Sequence, residues 1–249
     1  MSNGSFNDLT DIFESIIDWR KRLAHETPFY RHLFERFGIK RVVDVACGTG
    51  HHAAMFHSWG LQVQGADLSP NMIARARATY GQPPGLAWVV RGFDQPIELD
   101  DTFDAAVCVG NSLALAPNRA TAQEAVRCML AAVRRGGVAV VHVLNVWALP
   151  DGPCVWQKAV HTTLPEGPAL IVKGVHRCAG SAYVELLVCS LDGQVKMRST
   201  SVPFLALEEA DLEQVMRESG CHRIYALGGY QDQPFDRAKS IDLVLVAEK

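Results

Sequence analysis

The sequence predicts an α/β fold, a mostly parallel sheet with helices on both faces, and three observations carry that expectation. Short apolar, β-branched runs alternate with helical stretches between residues 41 and 144, the βαβα rhythm of a parallel sheet with right-handed crossovers. Within that stretch, Val42-Val43-Asp44-Val45-Ala46-Cys47 runs into Gly48-Thr49-Gly50 and then into a helical pattern. A strand, a glycine turn and a helix N-terminus in succession present free N–H groups to whatever occupies the loop. Asp67 stands at the end of the next strand, about twenty residues beyond Gly48, where a ribose-binding carboxylate belongs in a nucleoside-binding sheet.

Taken in order, residues 6–19 place Leu9, Ile12, Phe13, Ile16 and Ile17 on one face of an amphipathic helix. Asp18-Trp19-Arg20-Lys21-Arg22 reads as a polar link, and Thr27-Pro28 as the N-cap and first position of a second helix that carries Phe29, Leu33, Phe34 and Phe37 to a stop at Gly38. A strand over 41–47 follows, then a helix over 51–59 closed by Gly60 and a strand over 61–66. Ser69-Pro70 starts a helix that Gly81 stops. Residues 86–90 and 105–109 are the third and fourth strands, 118–134 a helix ended by Gly136-Gly137, and 138–144 a fifth buried strand. From 154 to 204 the texture turns strand-like, with runs at 169–175, 182–190 and 195–202 and a hairpin turn at Asp192-Gly193. A helix over 207–219 closed by Gly220 and strands over 223–227 and 241–247 complete the pattern. A single domain over 1–249 is expected, divided into an N-terminal helical lid (1–38), a cofactor-binding core (39–150), an antiparallel β insert (151–205) and a C-terminal helix with strands completing the sheet (206–249).

Composition narrows the class. The chain has 249 residues, 24 basic and 27 acidic, a net charge of −3 and 48% hydrophobic residues, ordinary values for a soluble enzyme. With no basic excess, nucleic acid is not an expected partner. No run reaches the length of a membrane span and no secretory leader pattern opens the chain, so a cytoplasmic location without membrane contact is expected. Seven scattered cysteines with no C-x-x-C pair read as reduced thiols. His51, His52 and His57 lack metal-ligand spacing, and no metal is expected.

Gly48-Thr49-Gly50-His51-His52-Ala53 fits G-x-G-x-x-G/A, a geometry shared by dinucleotide and S-adenosylmethionine (AdoMet) sites, so the pattern alone leaves both cofactors open. Flanking residues decide between them. The stretch from Val43 to Gly50, with its acidic residue ahead of the glycines, resembles motif I of class I AdoMet-dependent methyltransferases. Gly65-Ala66-Asp67-Leu68-Ser69-Pro70-Asn71-Met72-Ile73 resembles the second motif, Phe103 to Ser112 the fourth-strand motif, and Val133-Arg134-Arg135-Gly136-Gly137 the turn before strand five. Ile17-Asp18-Trp19-Arg20-Lys21-Arg22-Leu23-Ala24-His25-Glu26-Thr27-Pro28-Phe29 is similar to the entrance segment of glycine and sarcosine N-methyltransferases, as are Cys108 to Leu113 and Leu227-Gly228-Gly229-Tyr230.

That resemblance implies a Rossmann-like methyltransferase sheet with a final antiparallel strand and a β-rich insert after strand five. It implies AdoMet as cofactor, S-adenosylhomocysteine as product, and roles residue by residue. Trp19 would pack near the cofactor and Arg22 hold its methionine carboxylate, as a guanidinium fork suits. Asp44 would order the loop and the methionyl amine, the backbone around Ala46, Gly48 and Gly50 would approach the cofactor, and Asp67, with Leu68 and Met72 of the same motif, would meet the ribose side. Asp94 would accept from the adenine amino group beside Phe93. Val109 and Asn111 would flank the sulfonium edge. Asn111, His142 and Asn145 are the candidate catalytic residues, and His176, Arg177 and Tyr183 of the insert candidate covers for the acceptor pocket. Glycine methyltransferases carry an Arg-Asn-Tyr-like trio after strand five where this chain has Leu144-Asn145-Val146. A small-molecule acceptor larger or less charged than glycine is therefore expected, through an amine nitrogen that needs no base or a hydroxyl that needs one such as His142. An O-methyltransferase, a non-catalytic AdoMet-binding protein and a nicotinamide-dependent oxidoreductase are the competing readings.

Overall fold

The structure, a computed structural model, describes residues 10–97, 102–193 and 196–249. Helices α1 (Thr10–Ile16) and α2 (Trp19–Arg36) precede an alternating series: β1 (Arg41–Asp44), α3 (His51–Ser58), β2 (Gln62–Asp67), α4 (Pro70–Tyr80), β3 (Leu86–Val90), β4 (Phe103–Cys108), α5 (Arg119–Ala132) and β5 (Val133–Leu144). Strands β6 (Val155–Leu164), β7 (Gly167–Cys178), β8 (Ser181–Ser190) and β9 (Met197–Leu205) form the insert, and α6 (Glu209–Glu218), β10 (Arg223–Leu227) and β11 (Asp242–Glu248) end the chain.

Seven strands make the main sheet in the order β10-β11-β5-β4-β1-β2-β3, with β11 antiparallel between β5 and β10. The order reverses beside β1, so the C-terminal ends of β1 and β4 flank the crevice where open α/β sheets bind ligands. Period-two alternation sorts the sheet's side chains between two cores. Val43, Ala106, Cys108, Val141, Val143 and Leu245 face one cluster with α5, α6 and the insert, while Val42, Ala105, Val107, Val140, Val244 and Val246 face the other with α2, α3 and α4. Asp44, Asp67, His142 and Asp242 share the pleat phase of that second set, so they lie on the face of α2, α3 and α4, at the edge where the parallel strands end.

Local signals act where their chemistry requires. Ser69 Oγ accepts from the Met72 N–H at 3.3 Å with Pro70 at the first helical position, and Asn118 Oδ1 accepts from the Thr121 N–H at 2.9 Å. Gly50, at φ +90, leaves no room for a Cβ, which would lie 2.5 Å from the Trp88 ring.

Several expected boundaries move. Residues 6–9 of the first expected helix lie outside the described residues, and its described part ends at Ile16 rather than residue 19. The expected break at Thr27-Pro28 is absent: Asp18 caps α2, accepting from the Lys21 N–H at 3.0 Å, and Pro28 sits inside one continuous helix. Thr27 Oγ1 donates to the Leu23 carbonyl at 2.7 Å, and Glu26, Phe29 and Tyr30 are buried, so tertiary packing holds the helix through its proline. Strand β1 ends at Asp44, three residues early, although the Val45 N–H still donates to Val107 and the Cys47 N–H to Ala66. Gly136-Gly137 does not terminate α5; it forms an irregularity within β5, where pairing with β4 shifts register. The insert is a four-stranded antiparallel sheet whose first strand, β6, had no expected counterpart, because Trp156 to Ala159 are exposed and polar in pattern. Residue 195 of the last expected insert strand lies outside the described residues. Among the described residues no helix is long and apolar enough to cross a membrane.

Candidate functional site

The glycine loop is held by carboxylates on strand ends. Asp67 Oδ2 accepts from the Gly48 N–H and Oδ1 from the Ser69 N–H, each at 2.9 Å, so one side chain joins the turns after β1 and β2. Burial nevertheless pushes Asp67 above its ordinary value, against the lowering effect of those two bonds. Asp44 is fully buried. Its Oδ1 accepts from the Ala46 N–H at 3.3 Å, whereas Oδ2 has no hydrogen-bond partner among the described residues. Burial, with the Asp67 charge adding to it, raises Asp44 to about 7, while the Ala46 bond and Arg22 pull the other way.

Arg22 comes from α2. Its Nε donates to Glu26 Oε1 at 2.7 Å, and its guanidinium lies over the backbone of Gly110, where a Cβ would stand 3.4 Å from it. One terminal nitrogen, Nη2, is buried without a partner among the described residues, and so is Trp19 Nε1. Arg20 and Lys21, its neighbours, are exposed. Trp19 stacks on His51 with centroids 4.0 Å apart and 18° between planes. Glu26 joins Arg22 to His52, whose Nε2 is 2.7 Å from Oε2. Burial alone would raise Glu26, but the His52 and Arg22 contacts prevail and hold it at about 2. His52 moves down, because its own burial outweighs Glu26. The pair is therefore a carboxylate accepting from a neutral imidazole N–H.

A second bridge closes α1 onto the loop. Glu14 accepts from Thr49 Oγ1 at 2.6 Å and lies 3.1 Å from His51 Nε2, and His51 Nδ1 lies 2.7 Å from the Tyr80 hydroxyl. Asp11 pairs with Arg75, and Lys158 of the insert donates to the Ile16 carbonyl. Both carboxylates reach the histidines of α3 from segments more than twenty residues away, so no local spacing announces them.

The other expected residues fall into three groups. Ala46, Gly48 and Gly50 form the loop itself, with Met72 beneath α1, its sulfur 3.8 Å from Thr10 Oγ1. Val109 and Asn111 lie at the end of β4, both buried; Asn111, at φ +69, accepts from the Leu144 N–H at 3.0 Å and donates its own N–H to the His142 carbonyl. Leu68, Phe93 and Asp94 stand further out. Leu68 is 55% exposed, Asp94 is exposed, and Phe93 packs against the larger core cluster. Arg91 follows β3 with a buried Nη2 that has no partner among the described residues, and no motif in the sequence points to it.

Two expected catalytic groups are engaged elsewhere. Asn145 gives both amide hydrogens to the Arg237 and Ser240 carbonyls, at 2.9 and 2.7 Å, and accepts from the Trp147 N–H. It anchors the loop between β10 and β11. His142 Nδ1 accepts from the Gly110 N–H at 3.3 Å and lies 3.1 Å from the Tyr230 hydroxyl. A backbone N–H only donates, so Nδ1 carries the lone pair and Nε2 the proton. The imidazole's basic nitrogen is thus consumed by the strand-four turn. Likewise His176 pairs with Glu185 and Arg177 with Asp151, within and beside the insert. Lys173 is the insert residue that reaches the cleft electrostatically. Burial lowers its amine, Lys158 and Arg22 lower it further, and Asp242 opposes them.

Three unpartnered buried atoms therefore surround the glycine loop: an indole N–H, a guanidinium N–H and a carboxylate oxygen. One cation and one anion placed together match a zwitterionic amino-acid group, with a carboxylate toward Arg22 and an ammonium toward Asp44. The residues present fit the methionyl end of AdoMet.

Residues 42–137 match a family described as a methyltransferase domain. The chain is 31% identical over 147 residues to the glycine/sarcosine N-methyltransferase of Parasynechococcus marenigrum, covering 58% of this chain and 52% of that one. It is 30% identical over 161 residues to the glycine N-methyltransferase of Rattus norvegicus, covering 57% and 55%. The chain thus spans about half the length of the curated relatives it matches. Among solved structures it resembles SAM-bound CalS10, an amino pentose methyltransferase from Micromonospora echinaspora, with a TM-score of 0.72 at 22% identity over 94% of this chain and 92% of that one. DesVI of Streptomyces venezuelae gives a TM-score of 0.70 at 21% identity, covering 90% of each chain.

Proposed function

We propose that this chain is a class I AdoMet-dependent methyltransferase and that it transfers a methyl group from AdoMet to an amine nitrogen of a small molecule. The observation that carries the proposal is the trio of unpartnered buried atoms on Trp19, Arg22 and Asp44 around the glycine loop. When bound, AdoMet supplies an activated methyl and its own leaving group, so the protein's task is alignment. Arg22 would hold the carboxylate and Asp44 the amine of the methionyl end, with Asp67 turned to the ribose side. Leu68, Met72, Phe93 and Asp94 would border the nucleoside, and Val109 and Asn111 the transfer edge.

Nitrogen is favoured over oxygen because His142 offers no free basic nitrogen toward the cleft. A neutral amine attacks without a base, whereas a hydroxyl requires one. Curated relatives named for glycine and sarcosine N-methylation point the same way. The N-terminal segment would act as a lid, since Glu14, Trp19 and Asp11 clasp α1 and the start of α2 over the loop and so exclude water.

Transfer of tritium from methyl-labelled AdoMet to a panel of amines and matched alcohols tests the reading. Label should appear in amines; label confined to alcohols would overturn the choice of nitrogen, and absence of AdoMet binding would overturn the whole.

A further inference from the structure

Another buried polar atom, His142 Nε2, lies on β5 beside the transfer edge. His142 and Asp242 stand on adjacent antiparallel strands and share a face, with Val244 opposite His142 and Asp242 opposite Leu144. Asp242 Oδ1 is 3.1 Å from His142 Nε2, yet that N–H makes no aligned hydrogen bond and is buried without another partner among the described residues. The tautomer is fixed from behind, because the Gly110 N–H donates to Nδ1 and the Tyr230 hydroxyl stands against it. His142 is therefore a donor at Nε2 rather than a base. The Asp242 side chain is 28% exposed, so its carboxylate is within reach of solvent and of a ligand. Lys173 from β7 is within electrostatic reach of both Asp242 and Arg22, and Gly110 and Asn111 form the adjoining turn.

A donor and a carboxylate 3.1 Å apart are complementary to a nitrogen and an oxygen on neighbouring carbons, whose gauche separation is roughly the same. Resting on the proposed N-methyl transfer, we infer that Asp242 and His142 form the acceptor seat and that the acceptor class is a vicinal amino alcohol. Asp242 takes the amine N–H and the His142 Nε2–H takes the adjacent hydroxyl oxygen. The acceptor nitrogen loses its ammonium proton to solvent and enters neutral. It forms the C–N bond as the C–S bond breaks with its electron pair on sulfur, and it becomes cationic against Asp242. A carboxylate placed where positive charge develops lowers the barrier as well as holding the ground state.

The test uses trans-2-aminocyclohexanol, with cyclohexylamine lacking the hydroxyl and cyclohexanol lacking the amine. Binding of each to the protein–S-adenosylhomocysteine complex is followed by saturation-transfer NMR, and methyl transfer by tritium counting. Aminocyclohexanol should bind about ten-fold more tightly than cyclohexylamine, the worth of one buried hydrogen bond, and cyclohexanol should not accept methyl. Asp242→Asn should lower kcat and raise KM for the amino alcohol while leaving S-adenosylhomocysteine affinity within about two-fold, and Asp242→Glu should recover part of the rate. His142→Gln should erase the preference for the hydroxyl. Equal binding of the two amines, an Asp242→Asn variant that turns over like wild type, or no binding of either amine would overturn the acceptor seat. Failure of wild type to bind S-adenosylhomocysteine would instead remove the methyltransferase reading beneath it.

Discussion

Asp44→Asn separates what the site costs the fold from what it does for the ligand. Asp44 is fully buried with one oxygen unpartnered, and burial takes it from 3.8 to about 7. Between those values the folded chain keeps a proton that the unfolded chain has released. Stability therefore falls as pH rises across that window, and above it the full cost is present. About three pH units at roughly 1.4 kcal/mol each give about 4 kcal/mol. Asparagine keeps an oxygen for the Ala46 N–H and cannot ionise, so without ligand the variant should be more stable than wild type by about 2 to 4 kcal/mol near pH 8. The gain should vanish near pH 4. The same change removes the countercharge for the ligand's amine and should weaken S-adenosylhomocysteine binding by roughly 10- to 100-fold, the range of a charge-assisted hydrogen bond. Urea unfolding at the two pH values and titration calorimetry read both quantities. An Asp44→Asn variant less stable than wild type near pH 8, or one that binds the ligand unchanged, would refute the reasoning.

Other perturbations test neighbouring parts. Asp67→Ala deletes the acceptor for the Gly48 and Ser69 N–H groups and should cost more than about ten-fold in S-adenosylhomocysteine affinity by calorimetry. Glu26→Gln removes a carboxylate held at about 2 by His52 and Arg22. That stabilisation is complete above the ordinary value of 4.5 and fades as pH falls toward 2, so the variant should lose about 3 kcal/mol in neutral unfolding experiments and match wild type near pH 2. Gly50→Ala forces a left-handed φ and a contact with Trp88, and should lower stability by about 3 kcal/mol in thermal unfolding. Hydrogen exchange over residues 10–26 should slow on adding AdoMet, and unchanged protection there would remove the lid.

What was legible in the sequence tracks how local its physics is. The alternation of strands and helices along the chain and the second-motif cap at Ser69-Pro70 follow from period-two and period-3.6 patterns with turn residues at fixed offsets. Asp67 is tied to the glycine loop by motif spacing, whereas Asp44 and Arg22 enter through the resemblance to methyltransferase motifs. Glu14, Glu26, Lys173 and Asp242 carry no such signal, since each comes to the site from a separate segment through the tertiary fold. Pro28 misled because a proline break is a local rule, and buried Glu26, Phe29 and Tyr30 on either side outweigh it. For His142 the pattern gives a position in the fifth strand, but which nitrogen the Gly110 N–H meets is a fact of three dimensions.

The central claim is that Arg22, Asp44 and Asp67 make one AdoMet pocket around the glycine loop. Titration calorimetry of S-adenosylhomocysteine into wild type, Arg22→Ala and Asp67→Ala tests it most directly. Saturable binding by wild type and a loss of more than about ten-fold in each variant is the predicted result; no binding by wild type, or unchanged affinity in both variants, would contradict it.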